Sequence, residues 1–117
     1  MIVAGFGFRA GANQSSFADA LVQTGRKPDA VATLASKSPY IKGFADALHL
    51  PVIEVDATTA ASQKTLTTSA ASLAEHNTGS VAEATALAAA GRGARLTGAR
   101  QISSDRMATC AIAIGDD

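Results

Sequence analysis

The sequence predicts an α/β fold in three layers, with a mixed, mostly parallel central sheet of about five strands between two layers of helices. Three short apolar runs alternate with helix-like segments in the first 55 residues, and two further apolar runs lie near the C-terminus. Strands that alternate with helices pair in parallel through right-handed crossovers. Because 117 residues suit one domain, residues 1–117 are expected to form a single unit.

The first strand is predicted at residues 2–8, a nearly continuous apolar run that is typical of a strand covered on both faces. Gly7 and Gly11 remove side chains where the chain must turn or approach another group, and Arg9 places a positive charge directly after the strand. Because a helix start follows, this loop is a candidate anion site. The residues alone leave equal room for an alternative, in which the glycines, Gly5 among them, only let a helix pack closely on the strand.

A second β-α unit repeats this arrangement. Residues 13–24 carry a helical stripe that Gly25 is placed to end, and residues 30–35 form the next short apolar run. Ser36 and Lys37 then occupy the same strand-to-helix position as the first loop. Loops that follow parallel strands emerge at one edge of the sheet, so the cations of both loops are expected to face one cleft.

The middle of the chain predicts a second amphipathic helix at residues 40–48 and a third strand at residues 51–55. Residues 58–72 are mostly small and polar, with Lys64 as their only charge. They are predicted to form a short helix and a mobile loop. Two roles stay open for them, a flap over a ligand and a passive connection.

The clearest local motif lies at residues 79–83, where Gly79 precedes Ser80 and Glu83 follows three positions later. This spacing predicts a capping box, in which the side chain of Ser80 bonds the N–H of Glu83 and the side chain of Glu83 bonds the N–H of Ser80. A helix is predicted to start there and to end at Gly91. Glu83 is therefore interpreted as a cap, and its replacement is expected to cost less stability than that of Ser80.

The C-terminal part predicts a short strand at residues 94–97 and a longer one at residues 108–114, joined by a connection at residues 98–107. Residues 92–106, which include this connection, are basic, because they contain Arg100 and three further arginines but only one acid, Asp105. The net charge of the whole chain is zero, so the general positive charge of a nucleic-acid-binding protein is missing. A local basic segment instead favours an anionic small molecule.

Several other functions are disfavoured by the composition. Cys110 is the only cysteine and lies in an apolar run, which predicts a buried structural thiol. His49 and His76 have no neighbours at metal-ligand spacing, so no metal site is expected. The glycines from Gly5 to Gly11 are spaced one residue longer than the dinucleotide fingerprint, so no cofactor is expected either. The N-terminus lacks the features of a signal peptide, and no apolar stretch approaches the ~20 residues of a membrane span. The expected location is the cytoplasm, with neither a membrane nor a nucleic acid as partner.

Three motifs together span nearly the whole chain. They read GFGFRAGANQSSFADAL from Gly5, GSVAEATAL from Gly79 and ISSDRMATCAIA from Ile102. A strand that ends in a small residue and a lysine, here Ser36 and Lys37, lies between the first two. In these motifs and their order the chain resembles the CobE and CbiG C-terminal family of cobalamin biosynthesis proteins.

The resemblance implies a role in making the corrin ring of vitamin B12. In the longer CbiG-like proteins the whole protein opens a lactone on a cobalt-precorrin, whereas the step of standalone CobE-like proteins is less well defined. The favoured hypothesis is an accessory or carrier protein that holds a corrin precursor by its peripheral carboxylates and works beside other enzymes of the pathway. The residues expected to bind the precursor are Gly7, Arg9, Gly11, Ser36, Lys37, Gly79, Ser80 and Arg100.

Two alternatives stay open beside this hypothesis. One is a hydrolase that acts on a lactone or ester of a precorrin, whose general base would be Glu83, His76 or Asp105. The other is a phosphate- or nucleotide-binding module. Asp29 lies about 20 residues beyond the glycines, roughly where such a module would have its ribose-binding acid.

Overall fold

The computed structural model describes residues 1–116. Within that range the chain forms six strands and five α-helices, and a 3-10 turn at Ala35–Lys37 leads into the second helix. In chain order the elements are β1 (Ile2–Phe8), α1 (Gln14–Thr24), β2 (Ala30–Leu34), α2 (Ser38–Ala47), β3 (Val52–Val55), α3 (Ala57–Ala61), α4 (Ala70–His76), α5 (Val81–Ala90), β4 (Arg95–Leu96), β5 (Gln101–Ile102) and β6 (Ala108–Ile114).

The strands form one mixed sheet in the order β3-β2-β1-β6-β4, and β5 pairs with β6 beside this path. β2 runs parallel to both β1 and β3, as the successive β-α units predict. β6 lies antiparallel to β1 and pairs with it from Ile2 to Phe8, and β4 and β5 are antiparallel to β6. The predicted α/β fold with a mixed sheet is confirmed. The sixth strand, β5, lies inside the segment that was predicted as an irregular connection.

Helices cover both faces of the sheet. On one face α1 and α2 bury an apolar cluster in which the rings of Phe17 and Phe44 meet Phe6 of β1 edge to face. On the other face α5 packs against β1, β2 and β6 through small side chains such as Ala86 and Ala90. A Cβ atom at Gly5 would overlap the backbone of α5, so this glycine is required for the close approach of helix and strand.

The ends of α1 follow their local signals. The side chain of Asn13 accepts a hydrogen bond from the N–H of Ser16, and the hydroxyl of Ser16 accepts one from the N–H of Asn13, each at 3.2 Å. Gly25 ends the helix in the left-handed conformation, with φ of 69°. Asn13 therefore completes a reciprocal capping box at the start of α1.

The start of α5 differs from its prediction. The hydroxyl of Ser80 accepts a hydrogen bond from the N–H of Glu83 at 3.2 Å, so the first half of the predicted box is present. The carboxylate of Glu83 does not return to Ser80 but accepts hydrogen bonds from residues 66, 67 and 100. The second half of the predicted capping box is therefore wrong, because a distant loop packs on the helix start and supplies other donors.

The segment between β3 and α5 contains two helices. α3 corresponds to the predicted short helix, whereas α4, Ala70–His76, extends beyond the predicted segment of residues 58–72. No residue of α4 is buried. Across residues 1–116, no helix is long and apolar enough to cross a membrane.

Candidate functional site

A cleft of about 570 Å³ opens at the edge of the sheet where β1 and β2 end and β6 begins. Its floor includes Gly7 and Phe8 of β1, Thr109 of β6 and Val81 at the start of α5. Its roof is the segment from Ser69 to α4. The volume falls in the range of small-molecule sites, roughly 300 to 1,000 Å³.

The charge of the cleft is strongly one-sided. Four cationic side chains line it, and Glu75 on the roof is the one carboxylate among its lining residues. The ammonium group of Lys37 lies 5.4 Å from the centre of the Phe8 ring. This cation–π contact holds the charge at the C-terminal end of β1. The cleft is thus suited to a ligand with several negative charges. The four cations are Arg9, Lys37, Arg100 and Arg106.

The structure brings together some of the residues that the sequence predicts for the site. Those that line the cleft are Gly7, Arg9, Lys37, Ser80 and Arg100. Gly11 instead shapes the loop after Arg9, where its φ of 93° is one that side-chain-bearing residues rarely adopt. Ser36 is exposed in the 3-10 turn.

Gly79 lies beneath the loop that precedes α4. Its carbonyl accepts a hydrogen bond from the N–H of Ser69 at 2.7 Å, and a Cβ atom at this position would collide with Thr65 and with the carbonyl of Thr67. Gly79 therefore lets the roof segment lie against the start of α5.

Sequence reasoning missed several lining residues, chiefly Arg106 and Met107, and it named His76 only as a possible base of the hydrolase alternative. The basic character of residues 92–106 was a usable signal for Arg106, which adopts a left-handed conformation with φ of 61°. His76 had no local signal, because it reaches the cleft only through the position of α4.

Glu83 is fully buried, and its carboxylate is saturated with donors. Oε1 accepts hydrogen bonds from the backbone N–H groups of Leu66 at 2.6 Å and Thr67 at 2.9 Å. Oε2 accepts from the hydroxyl of Thr67 at 2.7 Å and from the N–H of Arg100 at 2.9 Å. Glu83 thus joins the roof loop to the Arg100 loop and has no free lone pair directed at the cleft. Because Glu83 makes more hydrogen bonds than Ser80, we expect its replacement to cost more stability than that of Ser80, which is the reverse of the order expected from the sequence.

Asp105 organises the loop before β6. Its carboxylate accepts hydrogen bonds from the hydroxyls of Ser103 and Ser16, each at 2.6 Å, and from the N–H of Met107 at 3.0 Å. These hydrogen bonds, with that of Ser103 the largest contributor, hold the pKa of Asp105 below its ordinary value of 3.8. Asp105 is thus a weak base that fixes the loop to the start of α1.

His76 is the remaining base proposed from the sequence, and it does line the cleft. About 23% of its side chain is exposed, and its Nε2 atom lies 3.6 Å from the Glu75 carboxylate. Cys110 is buried in β6, as the sequence predicts, and burial raises the pKa of its thiol. Within residues 1–116, no group of three or more His, Cys, Asp or Glu side chains is arranged to hold a metal ion.

Asp29 does not support the nucleotide alternative. Its carboxylate accepts a hydrogen bond from the N–H of Ile2 at 2.8 Å, at the start of β1. This position is at the edge of the sheet opposite the cleft, so the carboxylate cannot reach a ligand bound near Arg9.

Residues 2–113 match the family model described as Cobalamin synthesis G C-terminus. The structure is similar to that of CobE, a protein from the cobalamin (vitamin B12) biosynthetic pathway, with a TM-score of 0.85 and 32% identity over 97% of this chain and 92% of CobE. It is also similar to the cobalamin biosynthesis protein chiG from Agrobacterium tumefaciens, with a TM-score of 0.75 and 30% identity over the full length of both chains. The comparison with curated proteins finds no match.

A third structure shares the fold alone. A cobalamin biosynthesis protein G homologue from Sulfolobus solfataricus aligns with a TM-score of 0.73 at 22% identity. The alignment covers 96% of this chain but 36% of that longer protein. Fold and cleft thus define an α/β protein with a cationic site at one edge of its sheet. The chain belongs to the CobE/CbiG C-terminal family and is a cobalamin biosynthesis protein.

Proposed function

We propose that the protein binds a corrin precursor through the peripheral carboxylates of the macrocycle, in an accessory or carrier role. The observation that carries this proposal is the clustering of four cations around one cleft. They come from four separate connections, after β1, after β2, between β4 and β5, and between β5 and β6. Spaced cations of this kind match a ligand whose negative charges are distributed around its edge.

The chemistry of the lining supports the same ligand class. An arginine guanidinium can hold a carboxylate with two parallel hydrogen bonds, which gives direction as well as charge. Phe8, Val81 and Met107 add apolar surface beside the cations. A macrocycle edged with acetate and propionate groups needs both kinds of contact.

The accessory role is preferred because two of the three possible bases are occupied. Glu83 is buried and holds two loops, and the pKa of Asp105 is lowered by its hydrogen bonds. Hydrolysis of a precorrin lactone or ester remains the second candidate function, since His76 lies in the cleft beside Glu75. A hydrolase would lose turnover in His76→Asn with little change in affinity, whereas a carrier would show no turnover in either form.

The binding proposal is tested by titration with uroporphyrin, a porphyrin edged with acetate and propionate groups, followed by its visible spectrum. Arg9→Ala should weaken binding by roughly ten- to a hundredfold, because it removes a charge-assisted contact. Arg9→Lys should recover only part of the affinity, since an ammonium lacks the planar fork of guanidinium. Lys37→Ala should act in the same direction as Arg9→Ala.

Arg26→Ala is the matched control, because Arg26 is exposed on the turn before β2, at the opposite edge of the sheet. The difference between Arg9→Ala and Arg26→Ala should shrink at higher salt, as exposed charges become screened. Equal affinities of these two variants for uroporphyrin would show that the cleft is not the binding site. Tighter binding of a nucleotide than of uroporphyrin would favour the phosphate-binding alternative.

A further inference from the structure

The roof of the cleft is attached to the rest of the molecule at few points. α4 contributes no buried residue, and Leu73 on this helix is 47% exposed. On its N-terminal side the roof is held by the hydrogen bonds of residues 66 and 67 to Glu83 and by the bond from Ser69 to Gly79. A segment with little buried apolar surface opens at low cost, so these hydrogen bonds determine whether the roof stays closed.

The hydroxyl of Thr67 makes two hydrogen bonds at once, one with Glu83 and one with Arg100. It donates to Oε2 of Glu83 at 2.7 Å and accepts from Nη1 of Arg100 at 2.8 Å. Glu83 thus fixes Arg100 at both ends, through the backbone N–H directly and through the guanidinium by way of Thr67.

The guanidinium of Arg100 is not fully hydrogen-bonded within the protein. Its Nε atom is buried and has no hydrogen-bond partner within residues 1–116, whereas Nη1 bonds the hydroxyl of Thr67. Because Arg100 also lines the cleft, we expect an anion in the cleft to bind its guanidinium through a nitrogen other than the buried Nε.

We propose that Glu83 and Thr67 form a latch that positions Arg100 and holds residues 65–76 over the cleft, so that anion binding and roof closure are coupled. The coupling rests on the proposed function. A carboxylate that binds Arg100 in the closed cleft also lies next to roof residues such as Ser72 and His76. Those contacts are lost when the roof opens, so the ligand shifts the equilibrium toward the closed form.

The latch is tested without any ligand by amide hydrogen exchange. Thr67→Val preserves the shape of the side chain but removes both hydrogen bonds, so amides at residues 65–76 should exchange about tenfold faster. Thr67→Ser keeps the hydroxyl and should restore slow exchange. Thr68→Val is the matched control, because Thr68 is the exposed neighbour in the same loop. Amides of β1 report on global unfolding and should exchange much more slowly than the roof amides in all three variants, because the roof opens without unfolding of the sheet.

The same variants test the coupling with uroporphyrin as the probe. Thr67→Val should bind about tenfold more weakly than Thr68→Val, because the guanidinium of Arg100 loses the hydrogen bond that positions it. Uroporphyrin should slow exchange at residues 65–76 in the unsubstituted protein. Equal exchange in Thr67→Val and Thr68→Val would overturn the latch. Unchanged affinity in Thr67→Val would overturn the positioning of Arg100, and roof exchange that does not respond to bound uroporphyrin would overturn the coupling.

Failure of the proposed function gives a separate result. If uroporphyrin does not bind the unsubstituted protein, the proposed function and the coupling both fail. The exchange rates of the Thr67 variants still decide whether the latch exists.

Discussion

The floor and the roof of the cleft differ in how much structure supports them. On the floor, β1 is hydrogen-bonded to β2 on one side and along its whole length to β6 on the other, and α5 covers it. On the roof, α4 has no buried residue and depends on the hydrogen bonds around Glu83. The positions of floor groups are therefore set by the whole sheet, whereas the roof depends on the carboxylate of Glu83 and on one backbone hydrogen bond from Ser69 to Gly79.

This difference separates two ways of damaging the site. A steric change on the floor must disturb the packing of a helix on the sheet, so it lowers the stability of the entire fold. The loss of a hydrogen bond at the roof acts on a segment that can open by itself. Three substitutions test this distinction, and a pH titration then tests the loop before β6.

Gly5→Ala should have the largest effect, because the added methyl group overlaps the backbone of α5 at Ala82 and Ala86. We expect the free energy of unfolding to fall by roughly 3 kcal/mol or more, measured by urea denaturation. Gly98→Ala is the control, since nothing lies within 4 Å of the added atom there. Similar stabilities for the two variants would show that α5 can move away from β1 to make room for the added methyl group.

Glu83→Gln should lower the free energy of unfolding by about 2 kcal/mol, since an amide cannot accept all four hydrogen bonds of the carboxylate. Exchange at residues 65–76 should remain much faster than exchange at β1, because the roof opens without unfolding of the sheet. If the roof and β1 amides exchange at the same rate, the roof is not an independent unit.

Ser80→Ala removes one cap from α5 and should cost about 1 kcal/mol. The measurement is again a urea denaturation curve, with Ser36→Ala as an exposed control. Unchanged stability together with a collapse of uroporphyrin binding would make Ser80 a ligand residue rather than a cap.

Acid should produce the smallest effect, at the loop before β6. The pKa of Asp105 is lowered in the folded protein, so its contribution to stability is present above its ordinary pKa of 3.8 and is lost as the pH falls through the folded value. The N–H signals of Ser16 and Met107, followed by NMR between about pH 5 and pH 2, should shift in this window. Asp105→Asn should abolish the shift. Asp46→Asn is the control at an exposed position and should leave the shift unchanged. Persistence of the shift in Asp105→Asn would assign it to another carboxyl group near this loop, such as Asp19, which accepts a hydrogen bond from the N–H of Ser104.

Several features of the molecule were determined by local sequence alone. The apolar runs at residues 2–8 and 108–114 coincide with β1 and β6, and Gly25 and Gly91 cap the C-termini of α1 and α5. These signals depend only on neighbours in the chain, because strand length, helix capping and left-handed conformations are local properties. The sequence also predicted that Arg9 and Lys37 lie at one edge of the sheet, since the loops that follow parallel strands emerge at the same edge.

The role of Glu83 was decided only by the tertiary structure. Its spacing from Ser80 predicted a local cap, but its carboxylate binds residues that are 16 and 17 positions away in the sequence. The hydrogen-bond partners of a buried carboxylate are selected by which chain segments pack beside it, and packing between distant segments leaves no periodic pattern in the sequence. The same reason applies to three other features that only the folded chain shows. They are the position of α4 as the roof, the position of His76 in the cleft and the pairing of the short strand β5 with β6.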